Sequence, residues 1–128
     1  MTRTKDWLQY SEELIEVADL LITNRKFNWS CFTSQQASSA ALKAILENIE
    51  ESTFGDNLIA LLRIIKDKKS VPKEVNDACH SLNDYFKSTR DLERNETGTP
   101  MNSFSEKEAK HAKDNALIIL RFAYREVN

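Results

Sequence analysis

The sequence is poor in turn formers. Glycine and proline number two each in 128 residues, against a usual combined share of about 12%. That scarcity argues against a β-sandwich or barrel, which needs many tight connections, and favours a few long helices. Histidine and cysteine also number two each. Cys31 and Cys79 stand 48 positions apart, which matches no metal or redox spacing, and His80 and His111 alone supply a zinc site poorly. No metal and no cofactor are therefore expected. Long apolar runs are missing too. "NLIALLRII" at 57–65 is broken by Arg63 and falls short of the roughly 18 residues a spanning helix needs. The opening "MTRTKDW" has no apolar stretch of the kind a secretory leader carries. With both thiols read as small helix residues in a reducing compartment, the chain is expected in the cytoplasm and off the membrane. Nor is there an excess of positive charge. The 18 basic and 20 acidic residues give a net charge of −2, which is no electrostatic footprint for nucleic acid. P-loops, Gly-rich phosphate turns and nucleophile elbows are absent as well.

What is present is a pattern of helices. Hydrophobic residues make up 41% and charged residues 30%, the balance of a soluble globular chain. The length suits one domain, 1–128, that buries roughly two-thirds of its unfolded surface. Trp7, Leu8, Ser11, Leu14, Ile15, Ala18, Leu21 and Ile22 recur at steps of three and four, which predicts a first helix with a seam for near-parallel packing. Asp19 lies beside that seam and is expected to snorkel or to find a partner. A short polar link, 24–26, leads to a second helix over 28–50. Its stripe is Phe32, Gln35/Gln36, Ser39, Leu42, Leu46 and Ile49. A second line, Cys31, Ala37, Ala41 and Ile45, implies neighbours on two sides, as in a bundle or at a dimer seam. Asp56 is the expected N-cap of a short helix over 57–66 with Leu58, Leu61, Leu62 and Ile65 inward. Pro72 suits the first turn of a helix over 73–87 that buries Val75, Ala78, Cys79 and Leu82. A long irregular segment, 88–104, follows. Ser105 and Glu108 then form a capping box before an alanine-rich last helix. The expected fold is all-α: an up-and-down four-helix bundle with an additional short helix. Paired carboxylates such as Glu12-Glu13 and Glu50-Glu51 read as solvated faces.

The middle of the second helix is unusual. "FTSQQASSAALKA" at 32–44 has the spacing of a buried helix but carries amides and hydroxyls at its waist. Gln36 falls on the line of Phe32 and Lys43 and is expected to point inward or into a seam. The small residues Ser38, Ser39 and Ala40 would let another helix approach closely. Gln36, Ser38, Ser39 and Ala40 are thus candidates for a buried polar seam within the chain or between two chains.

The order of these motifs resembles the HEPN domain family. The resemblance runs from Trp7 and Ala18-Asp19-Leu20 through "NWSCFTSQQASSAALKAIL", with its asparagine-aromatic start, Gln-Gln-Ala and Leu-Lys-Ala. It continues through "NLIALLRII" and "VPKEVNDACHSLNDYFKSTRD" and ends in the alanine-rich helix. It implies a helical bundle, usually a homodimer, often found beside a minimal nucleotidyltransferase. Some relatives are ribonuclease toxins and others are non-catalytic binding modules. The chain departs from the pattern at three places. Ser39-Ala40 stands where many relatives carry Glu-Lys, and Gly55-Asp56-Asn57 stands where many carry a His. Ribonuclease members also need an Arg, a polar residue and, a few positions on, a His for proton transfer. Arg90-Asp91 supplies the first half, but no His follows until His111, 21 residues later.

The resemblance therefore implies a non-catalytic interaction module, dimeric, partnering a minimal nucleotidyltransferase and contributing to a nucleotide cleft; any anion or nucleotide binding is expected to be weak and to centre on Arg90 and Asp91, with Lys43 or Lys87 as helpers. Two alternatives stay open: a ribonuclease toxin with a degenerate site, and a small-ligand-binding bundle. Arg90 itself has two uses, as a cap on its helix's last carbonyls or as a fork for phosphate in a nucleotide or RNA.

Overall fold

The computed structural model describes residues 2–94 and 96–127. They form six α-helices: α1 (Thr4–Thr23), α2 (Phe27–Asn48), α3 (Leu58–Lys66), α4 (Lys73–Asn83), α5 (Tyr85–Ser88) and α6 (Glu106–Val127), with 3-10 turns at Leu92–Arg94 and Pro100–Ser103. There is no strand among the described residues. The all-α bundle is as expected. Helix α2 is its centre, packed against α1, α6 and α3, with further contact to α4 and α5, and α6 also packs on α1 and α4.

The α1–α2 pair shows why hydroxyls sit among apolar residues. α1 buries Leu8, Ser11, Ile15, Ala18 and Ile22. Ser11 Oγ donates to the Ala37 carbonyl at 2.7 Å, and Ser30 Oγ donates to the Ala18 carbonyl at 2.8 Å. Each small side chain lets the helices close until its hydroxyl reaches the facing backbone. Such bonds contribute roughly 0.5–1.5 kcal/mol each. α6 approaches α2 through buried Ala109, Ala112, Ala116 and Ala123, with Ile119, Leu120 and Phe122 filling the core.

The shortage of glycine shows at the helix ends. α1 closes with Lys26 N–H on the Leu21 carbonyl and Arg25 N–H on Ile22. α2 closes the same way, with Glu51 N–H on Leu46 and Glu50 N–H on Glu47. In this motif the residue after the helix turns left-handed, which favours glycine. Here Arg25 and Glu50 take it, each at φ 59°.

Three local expectations are corrected. Asn57, not Asp56, caps α3, accepting from Ala60 N–H at 3.0 Å. The run expected over 73–87 is split at Asp84 into α4 and α5. The neighbouring Asn83 turns its Oδ1 to Leu58 N–H at 2.7 Å, tying this point to the start of α3. The capping box of α6 is half made. Ser105 Oγ accepts from Glu108 N–H at 3.0 Å, while the Glu108 carboxylate takes the Tyr85 hydroxyl at 2.8 Å. Between α5 and α6 the chain is anchored by Asn28 Nδ2 on the Thr89 carbonyl, by the Arg94–Asp84 ion pair and by Phe104 against Tyr85.

Candidate functional site

The polar waist of α2 converges on Asp56. Gln35 is fully buried and donates through Nε2 to the Asp56 backbone carbonyl at 2.8 Å. Its Oε1 accepts from Gln36 Nε2 at 2.8 Å. Ser39 Oγ and Lys43 Nζ both donate to Asp56 Oδ1, at 2.7 and 3.2 Å. The ammonium of Lys43 also lies 5.3 Å from the centre of the Trp7 ring. Asp56 thus gives up the capping role to its neighbour because a buried serine and a mostly buried lysine claim its carboxylate.

This changes the expected roles along α2. Gln35, not Gln36, is the inward amide, because position 35 shares its side with Ser39, Leu42 and Leu46, which pack toward the interior. Gln36 is half-buried at the rim. Ser38, Ser39 and Ala40 are 0, 2 and 2% exposed within one chain. Ser38 Oγ bonds back to the Ser34 carbonyl at 2.9 Å. These three residues are a seam inside the chain and leave no surface there for a second one.

The other four candidate residues do not form one cluster. Arg90 donates Nε to the Phe86 carbonyl at 3.0 Å and sends Nη2 to the same oxygen. Its guanidinium carbon stands 4.4 Å from the Phe32 ring centre and 4.7 Å from that of Phe86. It caps α5 and joins that helix to α2. Arg90 also borders a hollow of about 360 Å³ with Asn28, Trp29, Leu92 and Met101. The Oδ1 of Asn28 is buried beside it with no protein partner. Lys87, one turn away, lines a separate cleft of about 360 Å³ with Asp56, Asn57, Asn83, Asp84 and Phe86. Lys43 lines neither hollow and is paired with Asp56. Asp91 folds onto its own turn, accepting from Glu93 N–H at 3.0 Å. Sequence reasoning missed Asp56 as the hub and Phe32 as the platform under Arg90; neither pairing has a local signal.

Neither histidine borders these hollows. His80 lies on α4 in a groove with Arg63, Lys66 and Asn76, and His111 is on the outer face of α6 beside Lys107 and Asp114. Burial pushes the Cys31 and Cys79 thiols up to about 12, so neither is poised as a nucleophile. No group of three or more His, Cys, Asp or Glu among the described residues is arranged to hold a metal ion.

The HEPN domain model matches residues 4–127. The chain belongs to the HEPN domain family. Among solved structures it is similar to TT1696 from Thermus thermophilus, with a TM-score of 0.94 and 28% identity over 98% of this chain and 99% of that one. An HEPN domain protein from Thermotoga maritima aligns with a TM-score of 0.76 and 26% identity over 94% and 95% of the two chains. ST0689, an archaeal HEPN homologue, shares the fold at a TM-score of 0.84 and 22% identity over the full length of both. No curated protein matches. Within this HEPN chain the departures hold their places in space. Ser39 bonds to Asp56, Asp56 sits just before α3, and Arg90 is turned back onto its own helix. Among the described residues no helix is long and apolar enough to cross a membrane.

Proposed function

We propose that this HEPN chain acts as one domain and as a non-catalytic interaction module, a cytoplasmic homodimer that partners a minimal nucleotidyltransferase. One observation carries the non-catalytic part. Arg90, the residue matching the family's phosphate-holding Arg, directs two of its nitrogens to the Phe86 carbonyl and stacks on two rings, with no histidine near it. A ribonuclease of the Arg-to-His kind needs a free guanidinium and a proton-transfer group within hydrogen-bond reach of the same phosphate. Two of the guanidinium nitrogens of Arg90 are taken by its own helix, and no histidine lines the hollow beside it.

Nucleotide contact, in this reading, is a secondary role of the Lys87 cleft and the Arg90 hollow on either side of Phe86. The cleft also favours a second reading, as a small-ligand site, because amides, carboxylates and one ammonium converge there beside an aromatic ring. Pull-down from native extract with mass spectrometry tests the partnership, and capture of a small nucleotidyltransferase is the expected result. Titration of ATP into wild type, Lys87→Ala and Arg90→Ala separates the two hollows. Weak binding lost in Lys87→Ala favours the cleft. Equal affinity in all three proteins removes nucleotide contact from the proposal.

A further inference from the structure

Two asparagines in the Lys87 cleft are held in one orientation by the backbone. Leu58 N–H donates to Asn83 Oδ1 at 2.7 Å, and Ala60 N–H donates to Asn57 Oδ1 at 3.0 Å. A backbone N–H can only donate, so each amide must turn its oxygen to the start of α3 and keep its nitrogen for something else. Neither Nδ2 has a protein partner among the described residues, and neither does Lys87 Nζ. The residues lining the cleft therefore carry three unused donor groups.

The two acids of the cleft are already engaged. Asp56 Oδ1 accepts from Ser39 Oγ and Lys43 Nζ, and Asp84 Oδ2 accepts from Arg94 Nη1 at 3.0 Å. Each carboxylate is matched by a cation, and Lys87 is the charge of the cleft left without a counterpart. One uncompensated ammonium beside two amide donors suits a single carboxylate, whose oxygens only accept. A polyphosphate brings several negative charges and would meet Asp56 and Asp84 in the same cleft, where like charges repel. The apolar wall is the Phe86 ring, 6.2 Å from the Phe32 ring centre and topped by Arg90. A planar ring packs well on such a surface. The volume of about 360 Å³ lies near the lower end of the roughly 300–1,000 Å³ of ligand clefts, which points to a small molecule.

We propose that the Lys87 cleft binds a small aromatic monocarboxylate, with the carboxylate on Lys87 Nζ and the Nδ2 groups of Asn57 and Asn83 and the ring on Phe86. The inference rests on the small-ligand reading of this cleft and names the class of ligand.

Titration of benzoate into the full chain tests it, followed through the side-chain amide signals of Asn57 and Asn83 in proton–nitrogen NMR spectra. Both sets of signals are expected to shift and to saturate. Asn57→Asp and Asn83→Asp keep the oxygen that the backbone N–H needs and replace the amide donor by a negative charge. Each should remain folded by circular dichroism and bind benzoate about tenfold more weakly or worse, as should Lys87→Met. Benzylamine, the same ring with the opposite charge, should not bind, and ATP should bind more weakly than benzoate. Unchanged benzoate affinity in folded Asn57→Asp and Asn83→Asp would overturn the inference. Saturable shifts with benzylamine or ATP but not with benzoate would overturn the monocarboxylate class and leave the small-ligand reading standing. No saturable shift with any of the three would overturn both.

Discussion

The waist of α2 and its Arg90 end are both rich in polar groups, but the bonds go to different places. At the waist Gln35, Ser39 and Lys43 reach Asp56 across the α2–α3 boundary, and Ser11 and Ser30 clamp α1. Those bonds hold separate helices together and leave only Ser34 Oγ of that stretch without a protein partner among the described residues. At the other end Arg90 bonds to the helix it terminates, and the buried Oδ1 of Asn28 and Oγ of Ser88 have no protein partner. Polarity inside a helix is therefore a poor marker of a site. A closed network is structural, and loose polar ends are where a ligand or partner can add something.

Mutation sharpens that contrast, beginning with the largest effect. Gln35→Ala should destabilise by roughly 2–4 kcal/mol, because it opens a cavity and strips partners from the Asp56 carbonyl and from Gln36. Gln36→Ala, at the rim, should cost less than about 1 kcal/mol. Denaturant titration at constant slope measures both, and equal costs would erase the difference between the two amides. The buried thiols come next. Cys31 lies one turn before Gln35, and burial pushes it and Cys79 from an ordinary value near 9 up to about 12. Above pH 9 the unfolded chain releases thiol protons that the folded chain keeps, so stability falls as pH rises from 9 toward 12 and is unaffected by these groups below pH 8. The loss at pH 10 should be about 1 kcal/mol per thiol, and Cys79→Ala should remove about half of it in a pH series of unfolding curves.

Smaller effects belong to the helix ends. Arg90→Ala should cost about 0.5–1 kcal/mol, the size of an exposed cap with cation–π contacts. A loss several times larger in thermal unfolding would show that Arg90 belongs with the closed waist. Arg25→Gly should stabilise. Relief of a left-handed side chain is worth about 1–2 kcal/mol, against about 0.5–1 kcal/mol for the added freedom of glycine in the unfolded chain. The expected gain is about 0.5 kcal/mol, and destabilisation would mean that the Arg25 side chain contributes through Phe27 or Glu106.

Periodicity makes most of the fold legible. Of the predicted seam of α1, Leu8, Ser11, Ile15, Ala18 and Ile22 are buried and Trp7, Leu14 and Leu21 half-buried, Leu58, Leu61, Leu62 and Ile65 are buried as expected, and α2 ends within two residues of the predicted bounds. Asp19 finds its partner in Lys113 at 2.7 Å. The failures share one cause. Asp56 and Asn57 are equally good caps by type, and only the position of Ser39 and Lys43 decides between them. Gln35 and Gln36 both fit three-four spacing, and the choice depends on which side α3 approaches. The split at Asp84 depends on the reach of Asn83 to Leu58. The Arg90 end is half legible. The missing histidine is visible in the sequence, but the turn of the guanidinium onto Phe86 and Phe32 is set by packing.

RNA cleavage by wild type and Arg90→Ala, measured side by side with a long single-stranded RNA and no added metal, tests the non-catalytic role most directly. No cleavage above background is expected from either protein, since Arg90 is bonded to its own helix and no histidine stands beside it. Cleavage by wild type that disappears in Arg90→Ala, with both proteins equally folded, would contradict that role and make Arg90 a catalytic residue.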